Sequence, residues 1–151
     1  MDDPVPDVEE QVALLLRLAD RNRRRSNRLD GTLERSAYLA LRHLALAGPS
    51  GINEIAAHLR LDGSTVTRQV LAMETAGYVT RGRDDADGRR AVVTMTEAGA
   101  RALEHTRAVR AEVYGEILRR WSTEDRRTLA DVLTRLNTDL DHDLDRAAEQ
   151  R

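Results

Sequence analysis

The middle of this 151-residue chain carries its most restrictive pattern: two short helical segments with a turn between them, followed by two β-prone runs. INEIAAHL (52–59) and STVTRQVLAMETAG (64–77) each repeat apolar residues at helical spacing. The residues between them, RLDG, form a tight turn in which Asp62 can cap the second helix, and Gly77 can end that helix. Two helices joined in this way and followed by a hairpin make a winged helix-turn-helix.

The second of these helices is predicted to bury one face and to expose the other. Its apolar side chains share the face that we expect to pack inward: Val66, Val70 and Met73. The opposite face carries side chains that can reach base edges and phosphates in a major groove: Ser64, Thr65, Thr67, Arg68 and Gln69. The helix N-terminus adds a partial positive charge for phosphate. A polar face that is simply solvated is the alternative that periodicity leaves open.

The hairpin is predicted from YVTRGR (78–83) and RRAVVTMT (89–96), which flank the loop DDADG. Arg89 and Arg90 lie at or just after its tip, where an arginine can enter a minor groove of enhanced negative potential. We expect the loop aspartates, Asp87 among them, to brace an arginine through a carboxylate–guanidinium pair. An exposed salt-bridged turn of little energetic value is the alternative. Weaker candidates for phosphate contact lie on the first strand: Arg81 and Arg83.

The rest of the chain is predicted to be helical. Helices are expected from the cap Asp7 into RNRRRSNR (21–28), over 33–47, from the cap Thr96 to about Trp121, and onward from the cap Ser122. The five arginines of 21–28 form either a solvated helix end or a phosphate-contacting patch. The fold is therefore predicted to be mainly α, with elements in the order α-α-α-α-β-β-α-α.

The terminal helices carry apolar stripes at helical spacing. In the first helix the stripe is Val8, Val12, Leu15 and Ala19. In the helix after the hairpin it is Ala98, Ala102, Val109, Val113 and Ile117. In the last helix it is Leu129, Val132, Leu133, Leu136, Leu140 and Leu144.

Several segments resemble the MarR (multiple antibiotic resistance regulator) family of transcription factors. DGRR, the strand after it and TEAG are similar to the family's wing signature, Asp-x-Arg, alternating apolar residues and Leu-Thr-x-x-Gly, with Met95 where leucine is usual. STVTRQV with the ending AGYV resembles the recognition helix and its exit, and WSTEDRRTLADVLTRL the start of the last helix. The resemblance covers roughly residues 8 to 145.

The resemblance implies a homodimer with a DNA-binding lobe at 33–98 and a dimerisation region at 7–29 and 99–147. The apolar stripes agree with a dimer, because the small winged helix-turn-helix cannot cover them alone. Two recognition helices would face successive major grooves of a pseudo-palindromic operator in double-stranded DNA. Asp87 and Arg89 match the family's wing pair. Many relatives are repressors relieved by a small-molecule effector, but the residues here do not assign an effector pocket.

Composition limits the chemistry that the chain can perform. With no cysteine it can form no disulfide, thiolate nucleophile or cysteine-ligated zinc site. The histidines show no ligand spacing, and we expect the helical-spaced pair Glu54 and His58 to be solvated. No apolar run approaches the length of a membrane span, and the acidic N-terminus lacks a signal-peptide pattern, so a cytoplasmic location is expected.

Together these features predict a dimeric, sequence-specific DNA-binding regulator, specifically a ligand-responsive repressor, that uses no metal or other cofactor. The net charge of -2 permits an alternative, a winged-helix module that binds proteins and no DNA. An enzyme is not expected, because no nucleophile–base constellation, metal-ligand spacing or phosphate-binding glycine loop is present in the sequence.

Overall fold

A computed structural model of the chain describes residues 3–25 and 27–150. The elements are α1 (Val5–Arg25), a 3-10 turn (Asn27–Leu29), α2 (Arg35–Ala47), β1 (Ser50–Gly51), α3 (Ile52–Leu59), α4 (Gly63–Thr75), β2 (Val79–Arg83), β3 (Ala91–Met95), α5 (Glu97–Ile117) and α6 (Thr123–Glu149). The arginine-rich segment 21–28 lies partly outside the described residues, at Ser26. The chain divides into two compact units, Met1–Ala111 and Glu112–Arg151. We call α2–α4 with β1–β3 the winged module.

Helix α1 begins earlier than predicted. Its first residue is Val5, whose backbone N–H donates to Asp3 Oδ1 at 3.1 Å, so the predicted cap Asp7 lies inside the first turn instead. Pro6 is tolerated there because the first turn of a helix leaves its N–H groups without helical partners. The Asp7 carboxylate still favours the positive end of the helix dipole.

The winged module is built around buried aliphatic side chains. Val66 and Val70 of α4 are fully buried and belong to the same cluster as Leu41 of α2 and Ile55 of α3. Met73 is also buried, which confirms the inward face predicted for α4. Complete burial of each such side chain is worth about 1.5–3 kcal/mol relative to exposure, so this cluster holds the helices together.

The predicted hairpin is present, and it is part of a three-stranded sheet in the order β1-β3-β2. β2 and β3 pair antiparallel, with Arg81 opposite Val93, and β1 pairs antiparallel with the other edge of β3. The sequence interpretation treated GPSG (48–51) as a turn only and missed β1. Two residues are too few for a strand periodicity, so this strand exists only through its pairing with β3.

Helix α5 buries residues that its predicted stripe did not include. Leu103 joins the core of the winged module, and Thr106 is fully buried, with its Oγ1 accepting a hydrogen bond from the Leu33 N–H at 3.0 Å. Ile117, the predicted end of the stripe, is exposed. The stripe was chosen on hydropathy, whereas Thr106 is buried because its hydroxyl satisfies a backbone donor 73 residues away.

In the second unit, α6 starts as predicted, with Ser122 Oγ accepting from the Asp125 N–H at 3.0 Å. The Arg126 guanidinium donates twice to the Leu118 carbonyl, at 3.2 and 2.7 Å, and so satisfies a carbonyl near the end of α5. The described helices are all too short or too polar to traverse a bilayer.

Candidate nucleic-acid interface

The exposed face of α4 starts at a tightly capped N-terminus. Asp62 accepts hydrogen bonds from the Thr65 N–H at 2.9 Å and from the Thr65 hydroxyl at 2.6 Å, and the Ser64 hydroxyl donates to the same carboxylate. These bonds, led by that from Ser64, hold the pKa of Asp62 well below its usual range, so the cap stays ionised. The hydroxyl groups of Ser64 and Thr65 therefore donate hydrogen bonds within the protein, which leaves only their acceptor lone pairs for DNA.

The other α4 side chains that were predicted to contact DNA differ in whether their polar groups already bond within the protein. The Thr67 hydroxyl donates to the Gly63 carbonyl at 2.7 Å. Gln69 is half-buried, and its Oε1 is buried without a hydrogen-bond partner among the described residues. Arg68 is exposed, and its guanidinium makes no hydrogen bond or ion pair with any described residue. Arg68 is therefore the strongest free donor on this face.

The wing loop, residues 84–90, is shaped by carboxylates that bind backbone. Asp84 Oδ1 accepts from the Ala86 N–H at 3.0 Å, and Asp87 Oδ1 accepts from the Arg89 N–H at 3.1 Å. Backbone bonds from Asp84 N–H to the Arg90 carbonyl and from Arg90 N–H to the Asp87 carbonyl close the loop. The prediction that Asp87 pairs with an arginine guanidinium is thus wrong. Its carboxylate accepts a hydrogen bond from a main-chain N–H instead, as short acidic side chains commonly do in turns.

Three of the four candidate arginines in the hairpin are engaged within the protein. Arg81 donates through Nε and Nη2 to the two carboxylate oxygens of Glu74, both at 3.1 Å. Arg83 Nη1 donates to the Gly88 carbonyl at 2.8 Å, and Arg90 forms an ion pair with Glu54. Arg81 thus directs two of its N–H groups and Arg83 one at the protein, and Arg90 is ion-paired, so each of these guanidinium groups is partly engaged within the fold.

Arg89 is the exception in the hairpin. Its backbone N–H is held by Asp87, whereas its exposed guanidinium has no partner among the described residues. The side chain borders an open cleft with Ile52 and Asn53, the first residues of α3. Although the chain has a net charge of -2, α4 and the wing loop therefore each present a guanidinium, at Arg68 and Arg89, that pairs with no other described residue.

The helical-spaced pair Glu54 and His58 does not form a joint ligand set. Glu54 pairs with Arg90, and the His58 ring packs against that of His43 from α2 at a tilt of 34°, with centroids 4.4 Å apart. Ser50 Oγ donates to the Gly48 carbonyl and lies 3.3 Å from His43 Nε2. Burial, and the neighbouring His58 ring, lower the pKa of His43. Within the described residues, no three His, Asp or Glu side chains form a group that could hold a metal ion.

Comparison with known proteins agrees with this geometry. Residues 32–90 match the model of the MarR family. The HTH-type transcriptional regulator YxaD of Bacillus subtilis, itself uncharacterised, is 35% identical over 137 residues, which cover 89% of this chain and 93% of that protein. The chain belongs to the MarR family. Members of this family are transcriptional regulators and not enzymes.

Solved structures show the same fold for this MarR-family regulator. A probable transcriptional regulator from Pseudomonas aeruginosa aligns with a TM-score of 0.66 and 28% identity, covering 85% of this chain and 98% of that one. A MarR family protein from Bacillus stearothermophilus aligns with a TM-score of 0.73 and 23% identity, covering 93% and 99%. The predicted winged helix-turn-helix architecture is thereby confirmed.

Sequence reasoning missed two acidic residues of the MarR-type module, Glu54 and Glu74, which bind the wing arginines. Glu54 was considered only with His58, one turn away on its own helix. Glu74 and Arg81 lie seven residues apart across the end of α4, a spacing that no local rule connects. A carboxylate in the last turn of a helix that precedes a basic strand is the signal that could have suggested the second pair.

Proposed function

We propose that this MarR-family protein is a dimeric repressor that binds a pseudo-palindromic operator through α4 and the wing of each subunit. The observation that carries this proposal is that two exposed guanidinium groups, Arg68 on α4 and Arg89 on the wing loop, have no partner among residues 3–25 and 27–150. A free arginine can bind guanine in the major groove bidentately or enter a narrow minor groove. Ser64, Thr65 and Thr67 would contact the same duplex through the acceptor lone pairs of their hydroxyl groups, and Gln69 would do so through its side-chain NH2, because its Oε1 is buried.

The dimer is supported by helices that expose large aliphatic side chains. In α1, Leu15 and Leu18 are 52% and 61% exposed, and in α6 Leu140 and Leu144 are 54% and 51% exposed. Rows of exposed leucines at helical spacing are unusual on a monomer and typical of an interface between subunits. We therefore assign residues 7–29 and 99–147 to dimerisation and residues 33–98 to DNA binding, with two copies of α4 reading adjacent half-sites.

Response to a small molecule completes the proposal. Streptomyces coelicolor PcaV is described in complex with its natural ligand, and DNA binding by Bordetella bronchiseptica BpsR as regulated by 6-hydroxynicotinic acid. These proteins are 18% and 19% identical to this chain, so they support a shared fold and the ligand must be found by experiment. A dimer that occupies a promoter excludes other proteins from it, and a ligand that favours a non-binding state would relieve repression.

The test begins with a duplex selected from a random-sequence library by the parent protein, whose affinity is then measured by fluorescence anisotropy over a series of KCl concentrations. Arg89→Ala is expected to weaken binding by about tenfold and to reduce the slope of log K against log salt by about one per subunit. The matched control is Arg135→Ala, which removes the same charge from an exposed position of α6. We expect the control to bind like the parent.

Two results would contradict the proposal. Equal loss of affinity in Arg89→Ala and Arg135→Ala would show that general charge and not the wing controls binding. Failure of the parent to enrich any duplex would remove the DNA-binding function and favour a winged-helix module that recognises protein.

A further inference from the structure

The geometry points to a different role for two of the wing arginines: Arg81 and Arg90 position the wing on α4 and α3 and do not contact DNA. This inference rests on the proposed DNA-binding function, because the position of the wing matters only if Arg89 must reach one groove of the duplex while α4 occupies the adjacent groove.

The first anchor joins β2 to the end of α4. Arg81 and Glu74 form a two-pronged pair in which Nε and Nη2 each bind one carboxylate oxygen at 3.1 Å. Such parallel bonds fix direction as well as distance, because both planar groups must be aligned. The Arg81 guanidinium lowers the pKa of Glu74, and the carboxylate in turn raises the pKa of Arg81, so both stay charged together. A phosphate that bound Arg81 would have to share the guanidinium with this carboxylate and use the N–H groups that Glu74 leaves unoccupied.

The second anchor joins the base of the wing loop to α3. Arg90 pairs with Glu54, while its backbone N–H and carbonyl close the loop at Asp87 and Asp84. The guanidinium also passes over Gly51 of β1, where an added Cβ would lie 3.0 Å from Nε and 3.1 Å from Nη2. Gly51 has an ordinary extended φ of -73°, so the backbone does not require glycine there. The absent side chain instead leaves room for Arg90.

Together the anchors attach both arms of the hairpin to the two helices of the helix-turn-helix. The attachment also fixes where Arg89 lies, because Arg89 is the residue next to Arg90 in the chain. Exposed ion pairs contribute little to overall stability. They can still restrict the wing before DNA arrives, and a restricted group loses less conformational entropy on binding. Removing an anchor should therefore lower the affinity for the operator. The fold and the number of displaced counterions should stay unchanged.

Glu74→Gln separates positioning from direct contact. The variant removes a negative charge close to the interface, so simple electrostatics predicts tighter binding to DNA. If Glu74 positions the wing through Arg81, the same variant binds about two- to fivefold more weakly, which is the size of effect expected from losing one exposed ion pair. The measurement uses the selected duplex, with circular dichroism and thermal unfolding to show that the fold is retained.

The salt dependence gives a second readout. Arg81→Gln is expected to weaken binding by the same two- to fivefold factor without changing the slope of log K against log salt, in contrast to Arg89→Ala. The exchanged double variant Glu74→Arg with Arg81→Glu keeps the net charge and restores the pair, so its affinity should return to within about twofold of the parent. A phosphate contact by Arg81 could not be restored in this way.

Gly51→Ala tests the second anchor without altering any charge. The new methyl group would push the Arg90 guanidinium beside Glu54 by a few tenths of an ångström, because Arg90 supplies the three closest neighbouring atoms of the added Cβ. We expect about twofold weaker binding at unchanged salt slope.

The inference is overturned if Glu74→Gln binds as tightly as the parent or more tightly. It is also overturned if Arg81→Gln lowers the salt slope by about one per subunit, or if the exchanged variant is no better than Arg81→Gln. If the parent itself selects no duplex, the proposed DNA-binding function fails first and the inference fails with it.

Discussion

The winged module and the terminal helices handle their apolar side chains in opposite ways. In the module, Leu41, Ile55 and Val70 are fully buried, whereas its exposed surface carries guanidinium groups without a partner among the described residues, Arg68 and Arg89 among them. Helix α6, in contrast, exposes Leu140 and Leu144 by about half. The module, with Leu103 of α5, therefore encloses an apolar core and leaves charged groups exposed, whereas α6 leaves hydrophobic area exposed, which is typical of an interaction surface.

The largest expected effect comes from the core of the winged module. Leu41→Ala should lower the free energy of unfolding by about 2–5 kcal/mol, because it leaves a cavity among side chains that cannot collapse fully. Urea denaturation followed by circular dichroism measures the change. A loss below about 1 kcal/mol would mean that Leu41 does not lie in a tightly packed core. Leu46→Ala, at an exposed site of the same helix, is the control.

A substitution on the exposed face of α6 should affect the association of subunits and not the folding of the winged module. Leu140→Asp is expected to weaken subunit association by at least about 30-fold, corresponding to the loss of a buried interface anchor. Sedimentation equilibrium at several protein concentrations measures this change. Operator affinity should fall with it, because a separated subunit engages only one half-site. A Leu140→Asp protein that sediments like the parent would contradict the dimerisation role of α6.

A smaller effect is expected where α5 meets the start of α2. Thr106→Val replaces a buried hydroxyl that accepts the Leu33 N–H and leaves that donor unsatisfied, at a cost of about 1–3 kcal/mol. Chemical denaturation of Thr106→Val against Thr106→Ser, which retains the acceptor, distinguishes the lost hydrogen bond from lost packing. If the two variants are equally destabilised, the hydrogen bond is not the cause.

The smallest effect concerns pH. Burial and His58 lower the pKa of His43 in the folded state, so the unfolded chain binds its proton more tightly. Stability should then be full above the unfolded value of 6.5 and decrease as the pH falls below it, until the lowered folded pKa is passed. The group that faces His43 from α3 is His58, and Ser50 faces it from β1.

Comparing unfolding above and below pH 6.5 tests this dependence. His58→Gln should reduce it, because the neighbouring charge is removed and only the burial of His43 remains. The control is His142→Gln on the exposed surface of α6, which should keep the parent's pH profile. A pH profile that His58→Gln leaves unchanged would show that the two rings do not interact energetically.

Local features of the fold were predictable because short-range rules decide them. The residues predicted for α3, 52–59, are those observed, and the caps Asp62 and Ser122 accept backbone hydrogen bonds as expected. Helical periodicity identified Val66 and Val70 as core. Each of these depends on neighbours within about four residues, where hydrogen-bond geometry and side-chain spacing constrain the chain directly.

The candidate site was predictable as a set of basic and polar residues but not as a set of contacts. The sequence itself determined that arginines follow the loop aspartates and that α4 carries a polar face. Only the tertiary structure decided that Glu74 pairs with Arg81, that Glu54 pairs with Arg90 and that Asp87 binds backbone. It also decided that Arg68 and Arg89 have no partner in the part of the chain that the structure describes. The reason is physical: a guanidinium pairs with whichever carboxylate the packing of other elements brings within reach, and that packing is not encoded in local spacing.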